Sequence, residues 1–187
     1  MTPILKTPRL TLAPPFMHEG MDVSHYLKWL CNESVTKFSE QRHRTHTAES
    51  QYEYLASFTG DNQIWEIQRG PTPIGTITAY RNPPNRTANI GILIGEPRVW
   101  GEGYGPEAWE AVCNYLFEDG IRKLEAGCMA CNTQMQGILR KTGFKFEATI
   151  GGHFLLDGKP EDMEIYGRYR EAKILPLTKE KEIIYRR

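Results

Sequence analysis

Three glycines within five residues, Gly101, Gly103 and Gly105, stand between an apolar strand-like run that ends near Gly95 and a helical pattern that begins at about Gly105. A glycine-rich turn of this kind lets backbone N–H groups face inward and lets a ligand approach the chain closely. The helix that follows adds the partial positive charge of its N-terminus, so the combination suits a pyrophosphate. A tight strand-to-helix turn with no ligand is the plain alternative, and the glycines alone do not separate the two. Two other phosphate-binding motifs fit this stretch less well. A P-loop requires Gly-Lys followed by Ser or Thr, and the chain reads Gly105-Pro106-Glu107. A Rossmann fingerprint follows an N-terminal parallel strand with an acidic residue about twenty positions on. Glu125 stands at that distance, but the runs upstream read as an antiparallel meander.

That meander consists of residues 63–69, 73–80 and 87–94, separated by "RGPTP" and "NPPN", the punctuation of hairpins. Before it, "RLTLAPP" (Arg9–Pro15) alternates like an edge strand and is halted by two prolines. Helical spacing follows over residues 21–30 and 47–58, the second with Thr47 as N-cap. Between them lies "SEQRHRTHT", in which Glu40, Arg42, His43, Arg44 and His46 form a polar cluster. Beyond the glycines, Ala108, Ala111, Val112, Tyr115 and Leu116 recur at helical steps until Gly120. A strand over 123–128, a helix over 133–142 capped by Asn132 and ended by Gly143, and two strands meeting at Asp157-Gly158 complete the chain. The expected fold is mixed α/β, with a central, mostly antiparallel sheet of about seven strands and about four helices. Residues 1–170 form one domain in this reading, and 171–187 form a charged C-terminal tail.

Composition narrows the function classes. Lys plus Arg and Asp plus Glu each total 23, so no net charge draws the chain to nucleic acid or to an anionic membrane. No apolar stretch is long enough to span a bilayer and none near the start resembles a signal peptide, so a cytoplasmic protein is expected. Cys128 and Cys131 form a CxxC, but no second pair completes a zinc set, and reduced thiols with no metal are expected.

Three segments in order, "IGILIG" (Ile90–Gly95), "WGEGYGPEA" (Trp100–Ala108) and "N…LRKTGF" (Asn132 to Phe144), resemble the GNAT N-acetyltransferase superfamily. The likeness runs from about Arg9 to Tyr169 and is nearest to the branch of ribosomal-protein N-terminal and amino-sugar acetyltransferases. It implies acetyl-CoA as co-substrate, a small-molecule amine acceptor such as an amino sugar or its nucleotide conjugate, and a monomer or homodimer; a protein N-terminal acetyltransferase and a non-catalytic coenzyme A-binding module are the alternatives. It also implies a cofactor site made by Ile92, Leu93 and Ile94, by Trp100, Gly101, Glu102, Gly103, Tyr104 and Gly105, and by Asn132. The strand from Gly91 to Ile94 would pair with the pantetheine arm, an addition of a strand by the cofactor. A backbone N–H of Ile92 or a neighbour would polarise the thioester carbonyl.

The family's usual side chains are partly replaced. Trp100 stands where Arg or Gln is common in the pyrophosphate loop, Asn89 where a Glu often opens the splayed strand, and Met135 where a Ser often follows the Asn. The Tyr acid of other branches falls near Arg140. Demand for a base depends on the acceptor. Neutralising a lysine-like amine at pH 7 costs about 4.6 kcal/mol, and an α-amine only about 1 kcal/mol. His153, on the closing hairpin, is the candidate catalytic residue, as a base or a positioning group. Arg42, His43 and Arg44 are the candidate acceptor-binding residues, suited to a phosphate or carboxylate.

Overall fold

The computed structural model describes residues 2–15 and 21–170, so the tail over 171–187 lies outside the described residues. Eight strands form one sheet: β1 (Leu5–Lys6), β2 (Thr11–Ala13), β3 (Gln63–Arg69), β4 (Thr72–Asn82), β5 (Thr87–Ile94), β6 (Lys123–Met129), β7 (Lys145–Leu156) and β8 (Lys159–Tyr169). Their order is β1-β2-β3-β4-β5-β6-β8-β7. Every neighbouring pair is antiparallel except β5 and β6. Five α-helices accompany it: α1 (Ser24–Leu30), α2 (Glu33–Thr36), α3 (Ala48–Ala56), α4 (Tyr104–Glu118) and α5 (Thr133–Lys141), with 3-10 turns at Glu40–His43 and Pro97–Val99.

The fold class is the expected one, and the differences lie in the shortest elements. Strand β1 and helix α2 span two and four residues, too few for a period of 2 or 3.6 to register. Because β1 pairs outside β2, the "RLTLAPP" strand is not the sheet edge.

Both faces of the sheet are covered. Helix α4 buries Ala108, Trp109, Val112, Cys113 and Leu116 against one face, with Leu12, Trp65, Ile67 and Leu124 in the same core. On the other face, α1 and α3 bring Tyr26, Trp29 and Leu55 onto Ile64. Strand β3 shows why both faces must be filled. Ile64 points to the α1 and α3 side, while its neighbours Trp65 and Ile67 enter the α4 core. Gly95 completes the second interface: a Cβ there would sit 2.1 Å from Trp29 Cδ2, so only glycine admits the indole.

One defect in the sheet positions everything that follows. The parallel pairing of β5 with β6 covers only Thr87↔Lys123, Ala88↔Leu124 and Asn89↔Glu125. Strand β5 then runs on to Ile94 and β6 to Met129 without pairing, so the two diverge. On its other edge β5 stays paired with β4 up to Gly75↔Ile94. The Gly95 N–H donates to the Ile74 carbonyl at 2.9 Å, which fixes the alternation of the antiparallel ladder. Residues 91, 93 and 95 direct their backbone polar groups at β4. Residues 92 and 94, beyond the last pairing with β6, direct theirs into the gap.

Candidate functional site

The glycine-rich turn lies at the end of that gap. Gly101 and Gly103 adopt φ of +82° and +84°, left-handed conformations that a β-branched side chain resists. Gly103 is also the N-cap of α4 and supplies no side-chain cap, so the first-turn N–H groups are offered outward. Trp100 anchors the turn: its Nε1–H donates to the Ile94 carbonyl at 2.9 Å, one of the groups aimed into the gap. From behind, Arg9 packs 4.4 Å from the Tyr104 ring centre, donates through Nη1 to the Glu102 carbonyl and pairs with Glu107 at 2.6 Å. Burial pushes the Glu107 carboxyl up, but hydrogen bonds from Thr7 and Arg9 outweigh it and leave the group below the ordinary carboxylate range.

Two cavities meet at the splay. The first, about 680 Å³, is lined by Ile92, Leu93, Ile94, Trp100, Gly101, Gly103, Tyr104, Gly105 and Asn132 of the residues expected at a cofactor site. Its opposite wall comes from α2 and the residues after it, through Ser34, Val35, Lys37, Phe38 and Ser39. The second, about 320 Å³, lies on the α1 and α3 side. Phe38, Ser39, Ile92, Leu93, Asn132 and Met135 line both. Asn132 serves there as the N-cap of α5, its Oδ1 accepting from the Met135 N–H at 3.0 Å, while its Nδ2 is a further donor at the junction. A third cavity, about 750 Å³, includes neither the loop glycines nor the splayed strand. Its Arg168 pairs bidentately with Glu110, and its Glu147 pairs with Lys123.

The remaining residues singled out in the sequence divide. Arg44 lines the smaller cavity, together with His46. Arg42 is engaged by the protein itself: it donates to the Ser39 and Leu155 carbonyls at 2.9 and 3.0 Å and pairs with Glu40 at 2.9 Å. His43 is exposed and lines neither cavity, and the Glu102 carboxylate faces Arg69 at 3.8 Å. His153 is exposed in the bulge of β7 between Ile150 and Phe154, its ring edge-on to Phe154, and lines neither cavity. Tyr26, Tyr54 and the whole α2 wall were not legible in the sequence. Aromatic residues at helical spacing are indistinguishable from core, and a four-residue helix has no period.

The chain matches the model of the acetyltransferase (GNAT) domain over residues 9–145. The chain belongs to the GNAT acetyltransferase family. This GNAT acetyltransferase is similar to the uncharacterized N-acetyltransferase YoaA of Bacillus subtilis (strain 168), with 28% identity over 174 residues covering 89% of this chain and 96% of that protein. Its fold matches that of the microcin C7 self-immunity acetyltransferase MccE, solved with acetyl-CoA and AMP. The TM-score is 0.75 at 16% identity, covering 88% of this chain and 94% of that one. It also matches the ribosomal alpha-N-protein acetyltransferase RimL, solved with coenzyme A, at a TM-score of 0.73 and 20% identity, covering 89% and 98%. As a GNAT acyltransferase the protein has to bring an acyl donor and an acceptor together at one carbonyl carbon. The two cavities share Ile92 and Leu93 of the splayed strand in their linings. Among the described residues, no helix is long and apolar enough to cross a membrane, and no group of three or more His, Cys, Asp and Glu is arranged to hold a metal.

Proposed function

We propose that the protein is an acetyl-CoA-dependent N-acetyltransferase acting on a primary amine carried by a small molecule with an anionic group, such as a phosphorylated amino sugar or a nucleotide conjugate. The observation that carries this reading is the pair of cavities joined at the splay, one bordered by the glycine-rich turn and the other by Arg44. In this reading the donor's pyrophosphate lies on the N–H groups of Gly101–Gly105 and its pantetheine arm pairs with the gap-facing groups of β5. The Ile92 N–H, directed into the gap by the ladder's alternation, is positioned to polarise the thioester carbonyl.

The acceptor cavity supports the choice of amine. None of the described residues lining it is Asp or Glu, whereas Arg44 and His46 are both there. A cavity without a carboxylate gives no partner to a second ammonium group, and a guanidinium gives one to a phosphate or carboxylate. Arg44 is therefore the anion-reading residue of this proposal, with Arg42 holding the loop through its own hydrogen bonds.

The deciding experiment is a thiol-release assay with acetyl-CoA and a panel of amines: a phosphorylated amino sugar, the parent sugar, spermidine and a peptide with a free N-terminal serine. The proposal expects turnover to be fastest with the phosphorylated sugar. Preference for the peptide would shift the reading to a protein N-terminal acetyltransferase. Tight coenzyme A binding with no thiol release to any amine would shift it to a non-catalytic coenzyme A-binding module.

A further inference from the structure

His46 is among the described residues lining the smaller cavity, and its hydrogen bonding decides which ring nitrogen carries the proton. His46 Nε2 lies 3.0 Å from the Gln41 carbonyl oxygen. A carbonyl only accepts, so Nε2 carries the proton in this bond. In the neutral imidazole the other nitrogen, Nδ1, is then an acceptor with no proton of its own. The bond thus fixes both the tautomer and the orientation of the ring, the role an orienting partner plays for a general base.

Its neighbours leave His46 alone in this capacity. The other ionisable groups among the described lining residues are Arg44 from the same loop, Tyr26 from α1, Tyr54 from α3 and Cys128 from β6. Arg44 stays charged at any working pH. Burial pushes both tyrosines well above their ordinary range, Glu66 reinforcing the effect at Tyr26 and Tyr80 at Tyr54. Burial likewise pushes the Cys128 thiol up to about 11, with Glu164 and Cys131 adding to it. None of these four exchanges a proton near neutrality, and histidine is the residue type that does.

We propose that His46 Nδ1 is the acceptor-side general base of the transfer. The inference rests on the acetyltransferase reading above and adds the residue that serves the amine. As the amine's lone pair forms the N–C bond to the acetyl carbon, Nδ1 takes one proton from that nitrogen. The C–S bond breaks, its electron pair leaves on sulfur, and the thiolate takes a proton from water. The imidazolium returns its proton to the hydroxide so formed, giving amide and free thiol with no net change in protons. His46 thereby supplies the base that the Asn89 amide cannot, and it costs the chain no buried charge in its resting state.

Two measurements test this. Long-range nitrogen–proton NMR spectra of the free protein should show His46 as the Nε2–H tautomer at neutral pH. An Nδ1–H tautomer would overturn the proposal whatever the acceptor proves to be. The second is the pH–rate profile with acetyl-CoA and the best amine of the panel, for wild type, His46→Gln and His153→Gln. Glutamine preserves a donor towards the Gln41 carbonyl and removes the base. His46→Gln should lose about 10²-fold or more in kcat/KM and flatten the acid limb, while binding coenzyme A as wild type by calorimetry. His153→Gln should keep both rate and limb. Should His46→Gln misfold, His46→Ala with added imidazole serves in its place, and recovery of rate by imidazole supports the base. A folded His46 variant with the wild-type limb sinks the inference while leaving acetyl transfer intact. Absence of coenzyme A binding by the wild type would instead remove the acetyltransferase reading itself.

Discussion

Gly103 and Arg44 carry opposite kinds of information. At Gly103 the backbone is decisive: φ is +84°, and a Cβ would meet Arg9 Nη2 at 3.4 Å, an ordinary contact. Space is therefore available and conformation is the obstacle, so valine must pull the turn away from the gap. Gly103→Val should lose coenzyme A binding by at least tenfold in calorimetry while circular dichroism remains that of the wild type. Unchanged affinity would remove the pyrophosphate from this turn. At Arg44 the side chain is decisive. Arg44→Ala should raise the acceptor's KM and leave kcat nearly unchanged, the pattern of lost binding felt equally by ground and transition states. Arg42→Ala should instead lower the melting temperature, since its guanidinium holds the Ser39 and Leu155 carbonyls. If Arg42→Ala raises KM and Arg44→Ala does not, the assignment of the two is reversed.

Helix α3 depends on its start more than on its length. Thr47 and Ser50 form a capping box, each side chain accepting from the other's backbone N–H at 3.2 and 2.9 Å. With nine residues the helix is too short to be stable alone, and its packing of Leu55 onto the α1 side presupposes that the cap sets its direction. Thr47→Ala should cost about 1 kcal/mol in denaturant unfolding. Because Ser50, Gln51 and Tyr54 of α3 line the smaller cavity, the same variant should also weaken the acceptor's KM. A loss of stability with no change in KM would show that the cavity tolerates movement of this helix.

The molecule as a whole is fastened across its sequence by Glu107, which ties the residues before β2 to the first turn of α4. It accepts from Thr7 Oγ1 at 2.6 Å and from the Arg9 backbone and guanidinium at 3.0 and 2.6 Å. Its carboxyl is held below the ordinary range, so the folded state favours its ionised form more than the unfolded state does. The resulting stability is fully present above the unfolded carboxyl's pKa and is lost as pH falls through the lowered folded value. The melting temperature of Glu107→Gln should lie below that of wild type at neutral pH, and the difference should shrink as the solution is acidified past the ordinary glutamate range. A difference that is constant over that range would assign the effect to packing rather than to the ion pair.

The sequence by itself determined the fold class, the order of the long elements and the position of the glycine-rich turn, because each rests on local chemistry. Periodicity marked β3, β5 and α4, Thr47 and Asn132 marked their helices as N-caps, and Gly101 and Gly103 lie in the strand-to-helix turn their spacing marked, where the structure gives both a positive φ. The tertiary structure alone decided what the polar residues between the first helices do. Arg42, His43, Arg44 and His46 lie within five positions of one another, yet one is bound to backbone, one faces outward and two line a cavity with residues from β5 and β6. Short-range pattern holds no record of which direction an irregular segment turns its side chains, since that is set by partners far away in the chain, such as Leu155 for Arg42. The splay of β5 from β6 is of the same kind. Beyond Asn89 and Glu125 the two strands no longer pair with each other, while β5 stays with β4 and β6 stays with β8, an arrangement made by partners distant in the chain.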